Sequence, residues 1–193
     1  MSDRDDDRTP PKRVRISGLQ ETQIKRLLEI DAACAAQYHE LGFDAAEVPV
    51  RVQSDLVKLA REHSVKVAEA DWIAAGMLAW RDEAPGVAYL ADVQVDPAYQ
   101  RFGIATKLLE AMFEEARALH LREVVVRCWE RAAWAMAFYK HAGFQPIGAD
   151  APTRVATWAD EERAHPLTRP GEVAMWLTIP QPEPEEEERL SDA

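Results

Sequence analysis

Two short segments of this chain bring together residue types suited to holding an anion and delivering a proton. From Tyr99 to Thr106 the sequence reads Tyr-Gln-Arg-Phe-Gly-Ile-Ala-Thr. Before it, Val87 to Val95 is rich in β-branched and aromatic residues and is closed by Asp96-Pro97, the pattern of a strand entering a turn. After it, Ile104, Leu108, Met112, Phe113, Ala116 and Leu119 recur at helical spacing with charged residues between them. A helix beginning at such a turn leaves its first amides without internal partners, and its dipole favours anionic oxygen there. Gly103, with no Cβ, lets backbone approach a ligand closely or adopt dihedrals other residues resist. The turn carries neither the Gly-Lys-Ser/Thr ending of a triphosphate loop nor a triple-glycine dinucleotide fingerprint. About thirty residues on, Trp134 to Phe144 carries Tyr139, a phenol that is protonated at neutral pH and so able to donate a proton.

The string Gln100-Arg101-Phe102-Gly103-Ile104-Ala105 resembles the Q/R-x-x-G-x-G/A signature of the GNAT N-acetyltransferase family, with alanine in the last small position. The segment from Ala135 to Phe144 resembles that family's A-x-x-F-Y-x-x-x-G-F block. The resemblance implies acetyl-coenzyme A as cosubstrate. The amides from Arg101 to Thr106, with Gln100, would cradle its pyrophosphate, and backbone around Val93 and Val95 would pair with its pantetheine arm. It also implies that Tyr139 protonates the departing thiolate, the alternative being that Phe138 and Tyr139 only pack a helix on the sheet. Two positions depart from the family pattern. Ala132 stands where members often carry an asparagine that bonds pantetheine, and Ala91 where polyamine acetyltransferases carry a basic glutamate.

The acceptor side needs a proton route, because an alkyl ammonium of pKa about 10 must lose a proton before its nitrogen can attack a thioester. Asp92 is the candidate base: a carboxylate in an otherwise apolar strand is costly to bury without partners. Period-two alternation would send Asp92 and Ala91 to opposite faces, so Asp92 does not inherit the glutamate's place by adjacency. The competing reading is a carboxylate that caps a neighbouring amide or pairs with an arginine. The five histidines show no metal-ligand spacing, and no metal is expected. His120 and His141 read as structural, while His39 and His165 fall in segments expected to be irregular. Cys128 reads as a small buried hydrophobe.

These residues require elements to position them. The pattern predicts a strand at Val14 to Ser17, a helix from Glu21 to Tyr38, a loop through Gly42 and Pro49, and a helix from Ser54 to Glu62. Strands follow near Val65 to Ala70 and Trp72 to Trp80, joined by a tight hairpin at Ala70-Asp71, then the strand to Val95 and the helix to Leu119. Val124 to Cys128, Trp134 to His141, Phe144 to Ile147 and Glu172 to Ile179 complete the order as strand, helix, strand and strand. This is the α/β order of the resembled fold, a mixed central sheet of about six to seven strands flanked by about four helices. Residues 148–171 are expected to form a long loop near the acceptor, or an insertion without contact to it.

The chain has 193 residues, of which 47% are hydrophobic, enough for the core of one domain. We expect a tail over 1–13, an acetyltransferase domain over 14–179 and an acidic tail over 180–193, both tails disordered. From Pro182 onward six acids face one arginine, so much of the formal net charge of -11 lies in that tail. An acidic balance argues against a nucleic-acid acceptor and is permissive toward cationic small molecules. Two cysteines, an N-terminus with no apolar signal core, and no run of about twenty apolar residues point to a soluble cytoplasmic protein. The reading is direct acetyl transfer in a ternary complex to a primary amine, most simply of a small molecule, with no membrane partner and with a homodimer left open. A peptide or lysine amine is the alternative acceptor. A coenzyme-binding module without turnover is the alternative from another class.

Overall fold

The computed structural model describes residues 8–164, 169 and 171–181. Seven strands form one sheet, β1 (Val14–Gly18), β2 (Ser64–Ala70), β3 (Ile73–Ala84), β4 (Val87–Val95), β5 (Glu123–Trp129), β6 (Gln145–Pro146) and β7 (Glu172–Thr178), in the order β1-β2-β3-β4-β5-β7-β6. Among the described residues five α-helices flank it: α1 (Ile24–Glu40), α2 (Gln53–Glu62), α3 (Ile104–Ala118), α4 (Ala133–His141) and α5 (Thr153–Ala164). This is the mixed α/β architecture that the sequence pattern predicts, with one helix more. Asp71 and Trp72 both take positive φ, 48° and 75°, so the β2–β3 hairpin is as tight as expected.

Strand alternation sorts the side chains between two layers. Ala68, Leu78, Ala88 and Val126 face α3 and α4, packing with Leu108, Met112 and Tyr139. On the opposite face Val67 and Met77 pack beneath Leu27, Ile30 and Leu56 of α1 and α2. Val87, Val125 and Trp176 meet Val155 and Trp158 of α5 on the same side. The segment 148–171, expected as a loop, therefore contains a helix. Its periodic residues Val155, Trp158 and Ala159 cover a sheet face that would otherwise be bare, and that burial outweighs the polar composition around them.

The sheet opens at its centre. Among the described residues β4 and β5 are the only parallel neighbours, and their pairing runs from Val87↔Glu123 to Leu90↔Val126. Both strands continue past that point, β4 to Val95 and β5 to Trp129, so they diverge there. On the other side of β4 the register jumps from Trp80↔Leu90 to Ala79↔Asp92, leaving Ala91 as an extra residue. Such a bulge bends the strand and re-aims the side chains that follow it.

Residues 1–7, 165–168, 170 and 182–193 lie outside the described residues, and with them His165 and most of both expected tails. Within the N-terminal segment, Lys12 and Arg13 donate their backbone N–H groups to the Asp71 carboxylate at 3.2 and 3.0 Å.

Candidate active site

Where β4 and β5 part, two cavities meet. One, of about 960 Å³, is lined by the 99–106 turn, by Val93 and Val95, and by Trp134, Phe138 and His141 of α4. The other, of about 300 Å³, lies between α1, the 41–52 loop and the diverging strands, and includes Asp31, Tyr38, Arg51, Asp92, Cys128 and Tyr139 in its wall. Val93, Val95, Gln100 and Trp134 line both, so the cavities share one wall.

The larger cavity is built mainly of backbone. Gly103 is the N-cap of α3 in the left-handed region, φ 74°, and no side chain caps the helix. The first-turn amides at Ile104, Ala105 and Thr106 are thus left for another acceptor. Arg101 also has positive φ, 72°, and alternation of this kind turns successive amides toward a common centre. Gln100 fastens the turn: its Nε2 donates to the Val95 carbonyl at 3.0 Å and to Gln37 Oε1 at 2.9 Å. Phe102 does not line the cavity; its ring lies under the Arg8 guanidinium at 5.6 Å. An uncapped helix start beside a strand edge with no neighbour strand fits a ligand that carries phosphate at one end and amide groups along its length.

The smaller cavity is built of side chains. Arg51 Nη1 donates to Asp92 Oδ2 at 2.7 Å and to Asp31 Oδ1 at 2.8 Å, and the Arg51 backbone N–H donates to Asp31 Oδ2 at 2.7 Å. Gln94 Nε2 donates to Asp31 Oδ1 at 2.8 Å, while its Oε1 is buried without a hydrogen-bond partner among the described residues. Burial pushes the Asp92 carboxyl above the ordinary carboxylate value; the Arg51 charge and hydrogen bond oppose that, Asp31 adds to it, and the Val93 amide opposes it. Of the competing readings of Asp92, the arginine partner is present, in a residue that also lines the cavity. The bulge at Ala91 overrides simple alternation, and Ala91 and Asp92 both line the same space.

Tyr139 is 7% exposed, with Phe138 and Phe144 rings at 5.2 and 5.5 Å. Burial holds its phenol protonated to well above the usual range. Packing and cavity lining, posed as alternatives from sequence, are combined in this one residue. Ala132 is fully buried against Phe43, Trp129 and Ala135, so the missing asparagine is replaced by apolar packing. Neighbouring Arg131 lies over the Phe43 ring at 3.7 Å and pairs with Glu47 at 2.6 Å.

Several wall residues carry no motif. Asp31 left a trace in the sequence, as a carboxylate within the apolar stripe of Leu27, Ile30, Cys34 and Ala35 on α1. Arg51, from an irregular loop, left none. His39, expected in an irregular segment, lies in the last turn of α1 with Nε2 2.9 Å from the Val48 carbonyl. His141, read as structural, lines the larger cavity. Cys34 and Cys128 are buried thiols, pushed up by burial to about 12 and about 11. Among the tryptophans, Trp129 and Trp134 line the smaller cavity, while Trp80, Trp158 and Trp176 pack in the core. No group of His, Cys, Asp and Glu among the described residues is arranged to hold a metal ion.

A split parallel pair, an uncapped helix start and a buried phenol in the wall of the smaller cavity give a site with room for an extended anionic ligand beside a separate pocket. The model of the acetyltransferase (GNAT) family matches residues 25–144, and the chain belongs to that family. Among curated proteins none matches the chain. Solved structures share the fold at low identity. The PaiA N-acetyltransferase from Thermoplasma acidophilum, in complex with coenzyme A, aligns at TM-score 0.68 and 15% identity over 86% of this chain and 99% of that one. An acetyltransferase from Streptococcus agalactiae gives 0.65 and 17%, over 86% and 98%. The ribosomal-protein-S18-alanine N-acetyltransferase from Escherichia coli gives 0.62 and 18%, over 90% and 98%.

Proposed function

We propose that the protein transfers an acetyl group from acetyl-coenzyme A to the primary amine of a small molecule, directly, within a ternary complex. The observation that carries this reading is the shared wall: a backbone-lined cavity suited to the coenzyme adjoins a charged cavity that holds both a carboxylate and a phenol. When bound, the coenzyme supplies an activated acyl group as a thioester. The amides of Ile104, Ala105 and Thr106, assisted by the α3 dipole, would hold its pyrophosphate, with Gln100 and Arg101 shaping the turn and Val93 and Val95 offering backbone to the pantetheine arm.

In the smaller cavity Asp92 accepts the ammonium proton, directly or through water, and so frees the nitrogen lone pair. Tyr139 returns a proton to the thiolate that departs, and its buried phenol remains protonated until needed. A thiolate nucleophile is disfavoured by the raised Cys34 and Cys128 values, which supports direct transfer over an acyl-cysteine. A cationic acceptor suits the wall. It carries four carboxylates, Asp31, Glu47, Asp92 and Glu172, against three guanidiniums, Arg51, Arg127 and Arg169, and Arg51 is shared by Asp31 and Asp92.

The test is release of free thiol from acetyl-coenzyme A with a panel of small amines, amino acids and amine-bearing peptides, alongside thermal shift with coenzyme A. Turnover with a small amine supports the reading. Turnover with peptides alone would move the acceptor to the protein class. Stabilisation by coenzyme A with no turnover on any amine would favour a binding module, and no stabilisation would remove the coenzyme altogether.

A further inference from the structure

The 41–52 loop sends one side chain deep into the acceptor cavity, and that side chain is the sole cation bonded to Asp92 among the described residues. Asp31 and Asp92 come from different elements, α1 and β4, and the Arg51 guanidinium bridges them through a single nitrogen, Nη1, at 2.8 and 2.7 Å. The Arg51 backbone N–H is tied to Asp31 as well, so the loop is anchored where its side chain acts. We propose that Arg51 is a positioning residue for acetyl transfer, orienting Asp92 toward the acceptor amine and keeping it a carboxylate. This rests on the reading of Asp92 as the base.

The surroundings leave few other groups to do this. On α1, Cys34 and Tyr38 face Asp92 with burial holding both protonated, and on α4 Tyr139 does the same. Asp31 adds a like charge, and Gln94 on β4 is neutral. Arg127 and Glu172, in the wall across the cavity, are bonded to each other; Arg169 there donates to the Glu47 carbonyl, the Glu47 carboxylate pairs with Arg131, and burial holds the Cys128 thiol protonated. A buried carboxylate with a carboxylate neighbour and no cation would take up a proton, and a protonated carboxyl cannot accept one from an amine. Two carboxylates around one guanidinium also leave one negative charge uncompensated, which an arriving ammonium balances.

The experiment follows kcat/KM for the acceptor from pH 6 to 9, each variant expressed as its ratio to wild type so that ionisation of the amine cancels. Arg51→Gln should lose about tenfold at pH 7 and regain most of it at pH 9, since an opposite charge at this range moves a carboxyl by a unit or more. Asp31→Asn removes the like charge, so its ratio should rise as pH falls. The double variant should return toward a flat ratio, a compensation that simple damage to the loop would not produce. A deficit in Arg51→Gln that is constant across pH, or no deficit, overturns the proposal, as does a ratio for Asp31→Asn that does not change with pH. Thermal shift with coenzyme A reports whether Arg51→Gln folds; if it does not, Asp31→Asn alone decides. Asp92→Asn separates the two levels. If it keeps wild-type turnover, the base reading falls and this proposal with it. If it is inactive while Arg51→Gln shows no pH-dependent deficit, only the role of Arg51 falls.

Discussion

The two cavities differ in what they are made of. The larger cavity, proposed for the donor, relies on main chain, with amides of a helix start, a strand edge without a neighbour and one glutamine that staples the turn. The smaller cavity, proposed for the acceptor, relies on side chains gathered from α1, the 41–52 loop, β4, β5, α4 and the strand β7 that α5 supports. Backbone groups bind any chain of suitable conformation, so a site made of them tolerates sequence change provided its turn is kept. A site made of side chains is rewritten by a few substitutions. One scaffold can therefore keep one coenzyme while its acceptor varies, and the substitutions at Ala91 and Ala132 both fall where side chains, not amides, would have acted.

Variants on each side test that division. The largest effect is expected from Tyr139→Phe, which keeps the ring packing and removes only the proton: kcat should fall about a hundredfold or more with the KM for acetyl-coenzyme A nearly unchanged, as steady-state thiol release would show. Equal loss in both constants would reduce Tyr139 to packing and break the contrast. Next, Gly103→Val places a β-branched residue at φ 74°, where nothing crowds a new Cβ but the backbone itself resists. The KM for the coenzyme should rise about tenfold from a strain of roughly 1–2 kcal/mol, with acceptor selectivity across the amine panel preserved.

Arg131→Ala should act in the opposite sense, raising acceptor KM several-fold and leaving the coenzyme KM alone. It removes both the Glu47 pair and the stack on Phe43, which with the bond from Arg169 Nη1 to the Glu47 carbonyl at 2.6 Å hold the 41–52 loop over the cavity. The smallest effect concerns stability. The Asp92 carboxyl is raised in the folded state, so this residue's contribution is favourable below its unfolded pKa and is lost as pH rises through the folded one. Asp92→Asn should therefore hold or raise the melting temperature at pH 8 relative to wild type, with the difference shrinking at pH 4; a drop of many degrees at pH 8 would mean that its bond to Arg51 outweighs its desolvation.

Much of the fold was legible along the chain because its elements are short-range patterns: alternation in β2 to β5, helical spacing in α1 and α3, a tight turn at Asp71. α5 was not, since its apolar residues serve only where a bare sheet face awaits them. The turn at 99–106 was legible for the same reason as the strands, because a turn and the helix it opens are contiguous. Ala91 and Asp92 misled simple alternation because a bulge is a property of the strand pair, visible in β4 only once β3 is laid beside it.

What the chain determined by itself was the glycine-bearing turn at Gln100 to Thr106 that opens α3, the place of Tyr139 on α4 and the order of elements that brings them near each other. Only the tertiary structure decided the rest: that β4 and β5 separate after Leu90 and Val126, and that Asp31, Arg51 and Asp92 meet in one cluster. Asp31 and Asp92 lie 61 positions apart, and the three residues come from three different segments, so no local pattern could relate them. Their charges act on one another through distance, and distance is what folding sets.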